Sequence, residues 1–492
     1  MTLFHARCHT RGVSEESEKK TGENRSTTPI SEAFRAFIQT GWITPKPGVV
    51  EPPGHLHHVA SRRERISKEV PGFFLVVPAG SPKQRSNDTD YPYRPHSAFT
   101  YLTGWGARAT AGSILVATPH DSGHEWTLYV RPPAPRTSDE FYANAGLGEF
   151  WTGRRPGIAE VSTRLGLDVM DLEEWNLENV SATTSAIIRD AEGDLTRQLD
   201  SLRPTTIEDD RLARVVAEAR LVKDDWEVGE LSAAIEATRR GFDDIIRAIP
   251  EAIANPRGER IIEGAFHARA RLEGHDVGYG TIAASGEHAC ILHWVTNDGE
   301  VRDGDLLLVD AGVERESLYT ADITRTLPVS GTFSSDQKKV YEAVLEAADA
   351  AFAVVKPGAK FSDIHAAAME VIARKVSEWG LLPVSVEESL SPEGQHHRRY
   401  MIHGTSHHLG LDVHDCAHAR REMYMGGTLE AGMVFTIEPG LYFQPDDETV
   451  PAPLRGIGVR IEDNVLVTPE GALMLSHGIP RTVAEVEAWC AR

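Results

Sequence analysis

The sequence predicts an α+β protein in two parts, an α/β unit over about residues 56–205 and a larger unit over 206–492. Three observations carry the prediction. Apolar runs of strand length, GFFLVVPAG (72–80) and SILVATP (113–119), are bounded by Gly and Pro in the first part. Past residue 208 the texture changes: Leu231, Ile235, Thr238, Phe242, Ile245 and Ile249 recur at spacings of four and three, one face of an amphipathic helix. Further helices of the same kind then alternate with apolar strands that carry acids.

In chain order, residues 1–30 are polar and poor in apolar side chains, and 42–58 (WITPKPGVVEPPGHLHH) are rich in Pro, Gly and His. Residues 1–55 therefore read as a disordered or extended segment. His55, His57 and His58 have no nearby carboxylate or Cys to complete a metal site and read as surface residues. ILVATPHDSGHEWTLYV reads as a hairpin. NPRG (255–258) stops the first long helix. Val340, Val344, Ala348 and Phe352 mark a second helix, ended by KPG. Phe361, Ile364, Ala368, Val371 and Ile372 mark a third. DLLLVDAG, TADITRTLPV, GMVFTIEPGLYF and IGVRIEDNVLV read as strands.

The 492 residues hold 51 Lys+Arg and 73 Asp+Glu, a formal charge of 51 − 73 = −22. Nucleic acid and anionic membrane partners need basic surface and are not expected. Four widely spread cysteines, with no CxxC pair, fit a reducing compartment rather than a disulfide framework. No apolar run approaches the roughly 20 residues that span a bilayer. The N-terminus has no apolar h-region. The expectation is a cytoplasmic protein.

Side chains alternate across a strand. Leu306, Leu308 and Asp310 share a face; so do Thr320, Asp322 and Thr324. Glu438 ends the face of Val434 and Thr436. Arg460, Glu462 and Asn464 share another. Asp463, on the opposite face, reads as merely polar. Four acids on strands otherwise built for a core need cations, because buried like charges repel and are costly to desolvate. Arg460 is one candidate. A pair of divalent metals about 3.5 Å apart is the better one, since carboxylates bridge two ions.

HGTSHHLGLDVHD (403–415) packs four histidines and two aspartates into thirteen residues. One imidazole among the carboxylates shifts preference from Mg or Ca toward Mn, Co or Zn. The other histidines then surround the open face as proton donors to a developing oxyanion. GIGVR (456–460) lacks the third glycine of a dinucleotide motif and carries no such reading.

These residues resemble the Xaa-Pro aminopeptidases (aminopeptidase P) of the pita-bread metallopeptidases. The His-rich stretch fits the proline-peptidase signature, and VDAG, ADITRT, TIEPGLY and RIEDN stand around it in family order. GEHACILHW, RLVKDDWEVGEL and RSNDTDYPYRPHSAFTYLTGW extend the resemblance over about 60–485. It implies two pseudo-symmetric αβ halves around a curved antiparallel sheet, behind an α/β N-terminal domain. It implies that Asp310 chelates one of two divalent ions, most simply Mn2+, with Co2+ or Zn2+ as alternatives. Asp322 and Glu462 bridge both ions, and His407 and Glu438 complete the second. His293, His403 and His414 line the substrate side. Arg460 lies beside the cluster, paired with Asp88. The implied reaction releases the N-terminal residue from a peptide with proline second, by attack of a hydroxide shared between the ions, with Glu438 as proton acceptor. A homo-oligomer, dimer or tetramer, is implied as well. A prolidase acting on Xaa-Pro dipeptides is the alternative within the class. A catalytically inactive pita-bread binding protein is the alternative outside it.

Overall fold

The computed structural model describes residues 28–29, 31–43, 51–87, 89–177, 180, 184–203 and 207–491. Its first part is a five-stranded mixed sheet in the order Asp168–Asp171, Gly123–Val130, Ile114–His120, Phe74–Pro78, Ser185–Ile187. The expected hairpin is there: Ile114 pairs with Tyr129 and His120 with Gly123 across the turn. Leu75, Val77, Leu115 and Leu128 are fully buried beneath the helices Leu56–Glu69 and Ser97–Thr103.

The second part is built twice from the same components, a helix pair and a small antiparallel sheet. The first helix, Asp225–Ile253, starts at a capping box in which Asp224 accepts from the Glu227 amide and Glu227 accepts in return. It buries all six residues of the predicted apolar face and ends at Ala254, before Asn255–Pro256. Its partner, Gly258–Glu273, approaches so closely that a Cβ on Gly241 would meet the Phe266 ring at 2.5 Å. The sheet that follows has the order Ile323–Pro328, Leu306–Ala311, Ile282–Ser285. Helices Ser335–Ala353 and Phe361–Glu378 and the sheet Val434–Ile437, Asp463–Thr468, Gly471–Met474 repeat the scheme. The halves meet where the Glu462 amide donates to the Thr324 carbonyl and Thr326 Oγ1 to the Arg460 carbonyl.

Two sequence expectations change here. GMVFTIEPGLYF and IGVRIEDNVLV are each broken into two strands, Val434–Ile437 with Gly440–Tyr442, and Gly458–Arg460 with Asp463–Thr468. Pro439 has no N–H to extend a ladder, and each chain bends at its acid, Glu438 or Glu462. The expectation of a disordered or extended segment over 1–55 also differs. Glu32–Ile38 is a helix, with Ser31 accepting from the Phe34 amide. Arg35 pairs with Asp139 at 2.8 Å, and Trp42 packs edge-on against Phe141 and Phe150. Residues 1–27 and 44–50 lie outside the described residues. His55 does not sit free on the surface: its ring stacks on Trp226 at 4.2 Å.

Candidate metal centre

Asp310 lies on the strand Leu306–Ala311, opposite Thr324 of its neighbour. Asp322 immediately precedes that neighbour, its amide held by Asn464 Oδ1 and its carbonyl by Asn464 Nδ2. The two bends bring Glu438 and Glu462 to the same side. His407 is carried in by bonds to the adjoining strand: its amide donates to Thr436 Oγ1, and its carbonyl accepts from the Thr436 amide. All five predicted ligand-type residues therefore converge. Ligand atoms of Asp322, His407 and Glu462 lie within 4.8 Å of one another, a donor set that could hold a metal ion. His407 Nε2 is 3.3 Å from Asp322 and 3.5 Å from Glu438.

Without a metal the cluster is electrostatically strained. Burial, with Asp322, Glu438 and Asp310 nearby, raises Glu462 well above the carboxylate range. Burial, with Asp322 and Asp310, pushes Glu438 up to about 7 against the pull of His407 and Arg460. Asp322 is raised too, by burial and by Asp310. Burial works against a charged His407, yet its bond to Asp322 and the charge of Glu438 hold it at about 9. Tyr279 makes the same point. Its hydroxyl lies 2.7 Å from Asp310 and 2.5 Å from Asp322, but has one proton to give. Carboxylates that repel each other, with one imidazole among them, are the donor set of a hard-to-borderline divalent ion; the residues fit.

A pH dependence follows. Glu438 rises from an ordinary 4.5 and His407 from 6.5, so each contributes stability that is full below those values and lost as pH climbs through about 7 and about 9. The metal-free protein is therefore expected to lose stability relative to Glu438→Gln between about pH 5 and 8, by denaturant unfolding at a series of pH values. A difference that grows in favour of the native chain over that range contradicts the electrostatics.

The four histidines of 403–415 divide three ways. His407 stands at the acids. His408 does not line the open face; it is buried, stacked on Phe361 at 4.8 Å and edge-on to Tyr424 and Phe435. Adjacent residues on an extended segment face opposite ways, and that rule was the available signal. His403 and His414 are the rim residues. His414 is exposed, its ring 4.5 Å from that of His407 and perpendicular to it, and burial and the nearby His407 and His293 lower its pKa. His293 is exposed nearby. The state of His403 follows from its neighbours. Arg460 can only donate, so Tyr442 accepts from Arg460 Nη1 at 3.2 Å and gives its proton to His403 Nε2 at 2.8 Å. His403 then donates from Nδ1 to the Gly404 carbonyl. Burial and Arg460 depress its pKa to about 3, in keeping with a neutral ring.

Among the described residues Arg460 has no side-chain partner in the N-terminal part. Its guanidinium is spent on Asp310 (2.6 Å), Thr324 Oγ1 (3.1 Å) and Tyr442; Asp88 lies outside the described residues. Asp463 is not merely polar: it is buried and paired with Arg325, which also holds the carbonyls of Thr324 and Glu462. The two aspartates of the His-rich stretch serve the fold. Arg220 joins Asp412 and Asp415 on either side of His414, and Lys223 meets Asp415 at 3.1 Å. Thr324 shares the face of Asp322, as strand alternation predicts, but Tyr279 and Tyr442 escaped the sequence reading, because nothing local marks an ordinary Tyr as facing a cluster far away in sequence.

A model described as the Aminopeptidase P N-terminal domain matches residues 59–187, and one described as Metallopeptidase family M24 matches 229–469. Xaa-Pro aminopeptidase 1 of Streptomyces coelicolor is 47% identical over 480 residues, 97% of this chain and 96% of that protein. The chain belongs to the Xaa-Pro aminopeptidase family. The Escherichia coli Xaa-Pro aminopeptidase is 33% identical over 87% of this chain and 96% of its own. Pseudomonas aeruginosa aminopeptidase PepP superposes with a TM-score of 0.76 at 31% identity, covering 90% of this chain and 99% of that one. As a member of the family, the chain is a metallo-aminopeptidase, a hydrolase with the pita-bread fold behind an aminopeptidase P N-terminal domain. Among the described residues no helix is long and apolar enough to cross a membrane.

Proposed function

We propose that this aminopeptidase hydrolyses the bond between residue one and a proline at residue two, in peptides of three or more residues, with two divalent ions. The observation that carries the reading is the convergence of Asp310, Asp322, His407, Glu438 and Glu462 on one buried, mutually repelling cluster. Asp310 would hold one ion, His407 and Glu438 the other, and Asp322 and Glu462 both; Mn2+ suits four carboxylates and one imidazole. When bound, the ions acidify the attacking water and polarise the scissile carbonyl. A domain division at 56–205 and 206–492 goes with this reading, as do a homo-oligomer, dimer or tetramer, and a cytoplasmic setting. Exposed Phe37, Trp42, Phe150 and Trp151 support the oligomer, and the free thiols of Cys290, Cys416 and Cys490 the reducing compartment.

The chain's own residues do the rest. Glu438, a carboxylate within the cluster, would take the proton of the attacking water. His414 and His293 stand at the rim, where an imidazole N–H stabilises a developing oxyanion. His403, fixed in one tautomer by Tyr442 and Gly404, presents an uncharged wall to the substrate. Proline lacks the amide hydrogen that a general protease docks, so selection rests on shape.

His414→Ala is expected to keep both ions and lose about 10²- to 10⁴-fold in rate. Metal analysis of the purified variant checks this, and loss of an ion would make His414 a ligand.

Substrate length separates this reading from a prolidase. A dipeptidase must bind the proline carboxylate with a cation. Arg460, the cation beside the cluster, is already committed to Asp310, Thr324 and Tyr442. One solved structure of the E. coli aminopeptidase P is described as holding the inhibitor Pro-Leu, a proline with a further residue. Ala-Pro-Ala is therefore expected to be cleaved much faster than Ala-Pro, and replacement of the proline by alanine to remove most of the rate. A kcat/KM for Ala-Pro equal to that for Ala-Pro-Ala would assign a prolidase instead.

A further inference from the structure

Six arginines are buried among the described residues: Arg62, Arg63, Arg203, Arg220, Arg325 and Arg460. Five have a carboxylate within ion-pair distance. Arg62 meets Asp224, Arg203 meets Asp200 and Asp209, Arg220 meets Asp412 and Asp415, Arg325 meets Asp463, and Arg460 meets Asp310. That is the usual condition for burying a charge. Arg63, at 7% exposure, has no carboxylate partner among the described residues, in a chain with 73 acids.

The protein gives this guanidinium little in return. Nη1 donates to the Leu102 carbonyl at 3.0 Å. That carbonyl lies in the last turn of the helix Ser97–Thr103, whose dipole offsets only part of a unit charge. Burial alone, with no acid opposing it, pulls Arg63 down to about 10.

Arg63 instead lines a cavity of about 450 Å³ between its helix, Leu56–Glu69, and the turn of the 114–130 hairpin. Other donors line the same cavity. Ser67 Oγ accepts from Trp126 Nε1, which leaves its own proton free to donate. His120 Nδ1 accepts from the Ser122 amide, so the neutral ring carries its proton on Nε2. Lys68 stands at the edge with Glu64 as its partner, both well exposed.

We propose that Arg63 forms the base of a binding site for a small oxyanion, phosphate or carboxylate, with its guanidinium fork on the ligand oxygens and Ser67 and His120 as further donors. The site lies apart from the metal-centre residues and does not depend on the reaction assigned to them.

The experiment is a thermal unfolding series on the full-length, metal-loaded protein. Inorganic phosphate and acetate are titrated separately at constant ionic strength set with chloride. Native chain, Arg63→Met and Arg63→Lys are compared, so that any effect of phosphate on the metals is common to all three. The expected result is a saturable rise of a few degrees in the native chain with at least one of the two anions. The rise should be absent in Arg63→Met and smaller in Arg63→Lys, which keeps the charge but loses the fork. A response to phosphate only assigns a phosphate ligand, and a response to acetate only a carboxylate. In chloride alone, Arg63→Met should melt at or above the native chain, because it removes a buried charge without a counter-charge. If Arg63→Met does not fold, the Arg63→Lys comparison decides alone. Equal shifts in native chain and variant, or no saturable shift with either anion, overturn the proposal.

Discussion

Asp322→Ala and His407→Ala should each yield a folded protein that has lost metal and retains less than about one part in 10³ of its activity, because the Lewis acidity and the acidified water go together. The two changes should act in opposite directions on the metal-free fold at neutral pH. Asp322 is buried among like charges, so its removal relieves repulsion from Asp310 and Glu462. His407→Ala removes the imidazolium that Asp322 and Glu438 hold, so the acids lose a counter-charge and the metal-free fold loses stability at neutral pH. The checks are metal content by elemental analysis, kcat/KM on Ala-Pro-Ala, and denaturant midpoint on the same preparations. Full activity in either variant without added metal would remove these residues from the site.

Asp415→Ala should do the opposite, and cost stability first. Asp415 is buried between Arg220 and Lys223, and its loss leaves two cations in the interior without their shared counter-charge. Breaking a buried ion cluster from one side costs about 3–5 kcal/mol, a large share of a typical domain's stability. Gly410 is packed against the same carboxylate, where a Cβ would come within 2.4 Å of Asp415 Oδ2, so the turn has no room to rearrange around a new partner. Urea unfolding of the metal-free protein measures it. A loss below about 1 kcal/mol would mean that water reaches the cations and the cluster is only nominally buried.

The contrast between Asp322 and Asp415 shows how far the sequence carries. Asp310, Asp322, Glu438 and Glu462 stood out because acids are foreign to apolar strands, and strand alternation put each on its correct side. The break of two strands at Glu438 and Glu462 did not disturb that, since Arg460 and Asn464 still face the cluster through Asp310 and Asp322. Asp463 reads as merely polar from the sequence, and Asp412 and Asp415 take no role in it. What distinguishes them is the partner, and Arg220, Lys223 and Arg325 lie far off in sequence. His408 was misjudged for a related reason: density of imidazoles says that a site is near, whereas facing direction says which ring reaches it. The long helices were legible because a six-residue apolar face leaves little freedom. The helix Glu32–Ile38 was not, since its support comes from Asp139 and Tyr142, met by Arg35 and Phe34.

The central claim is that one buried cluster of five side chains holds two ions, and that these ions cleave Xaa-Pro-Yaa. The most direct measurement adds Mn2+ stepwise to metal-free enzyme while following release of alanine from Ala-Pro-Ala. The account predicts no activity without metal and a plateau reached at two ions per chain. A plateau at one ion per chain, or turnover in the metal-free enzyme, would contradict it.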